Sequence, residues 1–82
     1  MIALNRAVAV AEIDGAVAAL PILDSLELDD YQPYHAARAD LLRRLGRDAE
    51  ATAEYDSAIA LSTSAAQRLF LGNRRASLER ST

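Results

Sequence analysis

The stretch YHAARADLLRRLGRDAEATAEYDSAIAL, Tyr34 to Leu61, decides the fold. His35, Ala39, Leu42 and Leu45 recur at spacings of three and four and put one apolar side on a first helix, while Arg38, Asp40, Arg43 and Arg44 populate the rest. Gly46 supplies the left-handed residue that ends it. A second helix opens on Asp48 and Glu50, whose charges suit the positive end of the helix dipole, and it buries Ala51, Tyr55, Ala58 and Ile59. The pattern predicts helices over Gln32 to Leu45 and Asp48 to Ser62, joined as one helix-turn-helix unit.

Working outward, Ala3 to Leu26 reads as a degenerate copy of this unit. A shift of 32 residues superposes Arg6 on Arg38, Ala7 on Ala39, Val10 on Leu42, Ala19 on Ala51, Leu23 on Tyr55 and Leu26 on Ala58. Small residues coincide where two helices must touch, because an Ala on each lets the backbones cross at about 8–10 Å. Helix one is expected from Ile2 to Ile13, with Leu4, Ala7, Val8 and Ala11 on one stripe that Val10 widens. Asp14 and Gly15 make the turn, with Asp14 able to cap a second helix near Ala16 to Leu26. Pro21 lies inside that helix and predicts a kink or a late start, since it removes a donor and crowds the Val17 carbonyl.

An acidic connector from Glu27 to Gln32 follows, and its Asp29 or Asp30 can cap a helix carrying Pro33 in its first turn. Ser62 to Ser64 forms the next break. A fifth helix begins on the capping-box pattern Ser64 to Gln67 and continues through Leu69, Phe70 and Leu78, with Gly72 and Asn73 weakening its middle. The fold class is all-α: about five antiparallel helices, two hairpins and a C-terminal capping helix.

At 82 residues the chain is one domain, 1–82, since a second independent core has no material to form. With no Cys there is no disulfide framework, thiolate metal site or cysteine nucleophile, which agrees with the cytoplasm. Asn5, Arg6, Glu12 and Asp14 interrupt every candidate membrane span, so a soluble chain is expected. All nine basic residues are Arg, which together with heavy Ala usage fits a high-GC bacterial genome. Residues 1–30 set one Arg against six acids, a net −5, whereas residues 31–82 carry eight Arg against six acids, a net +2. Such a dipolar module can orient against a partner carrying both signs of charge. The overall −3 argues against direct contact with nucleic acid.

The second unit is similar to a tetratricopeptide (TPR) repeat, whose period of about 34 residues is close to the offset between the two copies. Ala39, Leu42, Gly46, Ala51, Tyr55 and Ala58 stand at its small, apolar, turn, small, aromatic and small places. His35 stands where that repeat has an aromatic, Arg38 where it has Leu, and Thr63 where it has the closing Pro. The strings LNRAVAVAEIDG (Leu4 to Gly15) and YHAARADLLRRLGR (Tyr34 to Arg47), followed by AEATAEYDSAIAL and a final RLFL, resemble more closely the C-terminal TPR-like extension of extracytoplasmic-function bacterial sigma factors. Pro21 lies deeper in helix two than in that family, and Gly72-Asn73 interrupts a last helix that is charged and continuous there.

The resemblance implies a non-catalytic protein-interaction module that contacts upstream sigma regions or RNA polymerase and adjusts transcription initiation. It also implies a piece of a longer protein, with Met1 marking a boundary inside it. On a TPR-type inner surface Asp40, Arg43 and Arg44 project from helix three, with Val8 and Glu12 as counterparts on helix one; these five are the candidate partner contacts. Two units make a short groove, so the same faces can instead pack on other parts of the protein. The alternative is a self-associating, homo-oligomeric scaffold unrelated to transcription.

No catalytic, metal or cofactor constellation is written in the chain. His35 is the only imidazole, and a lone His among Ala residues is a packed side chain more often than a ligand. Asp24, Glu27, Asp29 and Asp30 lack the Gly and the oxygen spacing of a calcium loop and read as solvated caps. Arg38, Arg43, Arg44 and Arg47 have phosphate-gripping forks, yet they equally make a solvated helix face or a protein contact. The serines have no His-carboxylate arrangement nearby, and Gly15, Gly46 and Gly72 are isolated.

Overall fold

The computed structural model describes residues 2–81. Five helices follow one another: α1 (Ile2–Asp14), α2 (Ala16–Asp24), α3 (Gln32–Arg44), α4 (Asp48–Leu61) and α5 (Ala65–Ser81). No strand occurs among the described residues, so the fold is all-α. The Met1 boundary expected from the sequence lies outside the described residues. Each helix packs on its successor, most extensively α3 on α4, and α1 also reaches α3. The helices therefore form a layered stack measuring 29 × 27 × 17 Å.

Small residues occupy the points where the layers meet. Ala7, Ala19, Ala39, Ala51 and Ala58 are all 0% exposed, so the pairs Ala7/Ala39 and Ala19/Ala51 are buried alike in both units. Leu23, Leu42 and Tyr55 fill the space beside them and are the largest fully buried side chains. α3 is covered from two sides, by α2 and α4, which is why Tyr34 and Leu41 are buried together with His35, Ala39 and Leu42.

The turns explain where each helix stops. After α3, Gly46 adopts φ +75°. Its N–H donates to the Arg43 carbonyl at 3.1 Å and the Arg47 N–H to that of Leu42 at 2.9 Å, the paired bonds of a Schellman ending. Before α5, the Ser64 hydroxyl accepts the Gln67 N–H at 3.1 Å, the N-cap bond expected from the sequence.

Three local expectations are corrected and one is narrowed. Asp14 is the last residue of α1 and caps nothing: the junction is the single residue Gly15, at φ +90°, which precedes α2 without a side-chain cap. α2 ends at Asp24 rather than Leu26, where Ser25 Oγ donates to the Ile22 carbonyl at 2.7 Å and the Leu26 N–H to that of Leu23 at 3.0 Å. Of the two outcomes open at Pro21, a kink or a late start, the late start is not taken: α2 begins at Ala16 and runs through Pro21, and Pro21 and Val17 are both exposed, so water can bond the carbonyl that loses its partner. Tyr31, not Asp29 or Asp30, occupies the position before α3, again without a side-chain cap, while Pro33 lies in the first turn as expected.

The fifth helix turns Leu71 and Leu78 inward. Leu69 and Phe70 are 68% and 57% exposed, whereas Leu71 and Leu78 are buried. A separation of seven residues places Leu71 and Leu78 on one side of α5, and α4 is its principal neighbour. The helix runs unbroken through Gly72 and Asn73.

Candidate functional site: the α1/α3/α5 face

The five sequence-selected residues converge on one face. Asp40 is its centre. Its Oδ1 accepts from Arg43 Nη2 at 2.6 Å and its Oδ2 lies 2.9 Å from Arg44 Nη2. Both pairs are local to α3, at spacings of three and four residues. Arg44 then crosses to α1, where Nη2 lies 3.5 Å from Glu12 Oε1, and Arg74 of α5 approaches Asp40 Oδ1 at 3.7 Å. Asp40 thus links α3 to α5 electrostatically, and Arg44 extends the network to α1 through Glu12. The hydrogen bond that Arg43 donates to Asp40 holds its guanidinium more firmly protonated than usual, against the opposing effect of burial.

Two depressions flank Asp40. One, between α1 and α3, brings Val8 and Glu12 beside Asp40 and Arg44, but at about 50 Å³ it is only a dimple. Val8, 46% exposed, is the apolar part of its rim and lies outside the core in which the stripe of helix one had placed it. The other, between α3 and α5, is an open cleft of about 280 Å³ walled by Arg43, Arg44, Arg74, Tyr55 and Phe70. Arg74 lies over the Phe70 ring with its guanidinium carbon 5.0 Å from the centroid. The sequence reading did not select Phe70 and Arg74 for this face. Their i, i+4 spacing on α5 was the available signal.

A second polar cluster lies away from this face and joins α2, α3 and α4. His35 is 8% exposed, with Nδ1 2.6 Å from Glu54 Oε2 and Nε2 2.7 Å from the Asp29 carbonyl oxygen. A carbonyl only accepts, so Nε2 carries a proton; Nδ1 meets a carboxylate, so the doubly protonated imidazolium fits both partners. Burial pushes the His35 pKa down, but the hydrogen bonds to Glu54 and to the Asp29 carbonyl outweigh it, and the net direction is up. Arg38 completes the cluster, donating from Nη1 to Glu54 Oε1 at 2.8 Å and from Nε to Asp24 Oδ1 at 2.9 Å. Burial also raises the pKa of the neighbouring Tyr34, whose ring meets that of His35 edge-on at 5.2 Å.

This cluster gives His35 and Arg38, two of the three positions at which the sequence departs from the repeat it resembles, a common physical role. Glu54 of α4 accepts from both. His35 also fastens the acidic connector through the Asp29 backbone. Both of its ring nitrogens are thus engaged, one with α4 and one with the connector. Among the described residues no three metal-ligating side chains converge.

No family model matches the chain, and no solved structure matches it. Among curated proteins it is similar to an uncharacterized protein of Rhizobium meliloti (strain 1021), 42% identical over 73 residues. The match takes in 87% of this chain but 17% of that protein, so the chain spans about a sixth of the length of the relative it matches.

Proposed function

We propose that this chain is a non-catalytic, TPR-like interaction module of an extracytoplasmic-function sigma factor. It acts in the cytoplasm by contacting upstream sigma regions or RNA polymerase and so adjusts transcription initiation. The observation that carries the reading is where the two resembling strings fall: Leu4–Gly15 supplies α1 and its turn, Tyr34–Arg47 supplies α3 and its turn, and these are the helices that hold the candidate contacts. Two further observations support it. The equivalent alanines of the two units are buried alike. A similar stretch occurs within a much longer protein.

The mechanism is surface recognition by helices held in fixed register. Asp40 pre-orients Arg43 and Arg44, so a partner meets guanidinium groups that have already lost part of their rotamer freedom. Val8 and Phe70 supply exposed apolar surface beside those charges. Deleting the segment from the longer protein and measuring promoter-directed transcription tests the proposal. Altered output is expected; unchanged output counts against a regulatory role.

A second reading, a self-associating scaffold, draws on the exposed Leu69 and Phe70 of α5, an apolar edge that another copy could cover. Sedimentation over a wide concentration range decides it, and a strict monomer removes it.

A further inference from the structure

We infer that the cleft between α3 and α5 is a docking site for an acidic peptide segment carrying an apolar side chain beside its carboxylates. The inference rests on the interaction-module reading and names the chemistry of the partner.

The cleft gathers three guanidinium groups, from Arg43, Arg44 and Arg74, around the carboxylate of Asp40, with Glu12 Oε1 3.5 Å from Arg44 as the other acidic neighbour. In a chain of net charge −3 this is a local excess of positive charge. Asp40 has two oxygens, and Arg43 and Arg44 take one each. Arg74 approaches Asp40 only to 3.7 Å, beyond hydrogen-bond length, and is held in place by the Phe70 ring beneath it. Arg43 Nε is a buried donor with no acceptor. Donors therefore outnumber acceptors, and they are fixed by other contacts before a ligand arrives.

Shape and composition narrow the ligand. At about 280 Å³ the cleft falls just below the range of roughly 300–1,000 Å³ for small-molecule pockets, so it takes one or two side chains rather than a cofactor. Phe70, 57% exposed, and Leu71 and Ala36 offer an apolar wall beside the charges. The guanidinium forks fit a carboxylate in a bidentate way, and the chain's overall net charge of −3 disfavours a polyanionic strand. The partner is accordingly an acidic peptide with an aliphatic or aromatic residue between its carboxylates, and not a nucleic acid.

The probe is a fluorescent pentapeptide with a central Phe flanked by two Asp and two Glu, followed by anisotropy against the full 82-residue chain. Its controls are the same peptide with Asn and Gln in place of the acids, and single-stranded oligothymidylate. We expect the acidic peptide to bind at least about tenfold tighter than its amide control, since two charge-assisted contacts are at stake. R44Q combined with R74Q, whose thermal melt verifies folding, is expected to reduce binding to the level of the control. Equal binding of the two peptides, full retention of binding by the double variant, or tighter binding of the oligothymidylate overturns the inference. Because this assay uses the chain alone, its failure leaves the transcription test on the longer protein independent.

Discussion

Replacing Glu54 by Gln removes the carboxylate at the centre of the inter-helix cluster while keeping its size. Glu54 accepts from His35 at 2.6 Å and from Arg38 at 2.8 Å, and the side chains involved are 17%, 10% and 21% exposed. Two hydrogen bonds to charged groups are worth about 1.5–3 kcal/mol each. The amide oxygen of Gln retains one acceptor, and Arg38 keeps Asp24, which is half exposed and screened by solvent. The expected net loss is therefore about 2–3 kcal/mol, a large part of the roughly 4–12 kcal/mol available to a domain of this size. Urea unfolding followed by circular dichroism measures it. For a domain of this length the loss corresponds to a fall in Tm of about 10–20 °C.

The pH dependence supplies a second, independent readout. The folded pKa of His35 lies above its ordinary 6.5, so the protonated form is favoured in the native state. The resulting stabilisation is complete below about pH 6.5 and is lost as pH rises through the raised folded pKa. Wild-type stability is therefore expected to fall on going upward from pH 6.5, and Glu54→Gln to flatten that decline. A loss under about 0.5 kcal/mol, or a decline equally steep in both proteins, refutes the assignment of His35 as an imidazolium clamp.

Other substitutions probe the frame. Gly46→Ala places a Cβ at φ +75° and is expected to cost about 1–2 kcal/mol, read from the same urea titration. Ala51→Leu inserts a branched side chain where exposure is 0% and is expected to destabilise by about 1–3 kcal/mol or more, with loss of the sharp thermal transition. Ser64→Ala removes the N-cap bond of α5 and is expected to cost about 0.5–2 kcal/mol, with earlier amide hydrogen exchange in the first turn of that helix.

The frame was legible because local spacing carried it. Gly46 marked the end of α3, Ser64 the start of α5, and the alanines shared by the two units the contact points between layers. The inter-helix cluster was not legible, because His35 and Glu54 are 19 residues apart and Arg38 and Asp24 are 14 apart, on different helices. Nothing in the period of one helix reveals such a pairing. The Asp14 cap failed for a different reason: a one-residue turn at Gly15 leaves no position between the helices for it. On α5 the run Leu69, Phe70, Leu71 gave three adjacent apolar residues pointing in different directions, and only the position of α4 decides which enters the core. Of the candidate face, Val8, Glu12, Asp40, Arg43 and Arg44 were selected through the resemblance to a TPR-type inner surface, while Phe70 and Arg74 entered only with the position of α5 beside the cleft.

The most direct measurement is the affinity of the 82-residue chain for the proposed partners, upstream sigma regions and RNA polymerase, compared with a variant altered only on the exposed rim of α1. Val8→Ser with Glu12→Arg changes two exposed side chains and leaves the buried alanines untouched. If the α1/α3/α5 face makes the contact, calorimetry shows binding to one of these partners that falls at least about tenfold in the double variant while its helicity is unchanged. Binding of equal strength in both proteins contradicts the account.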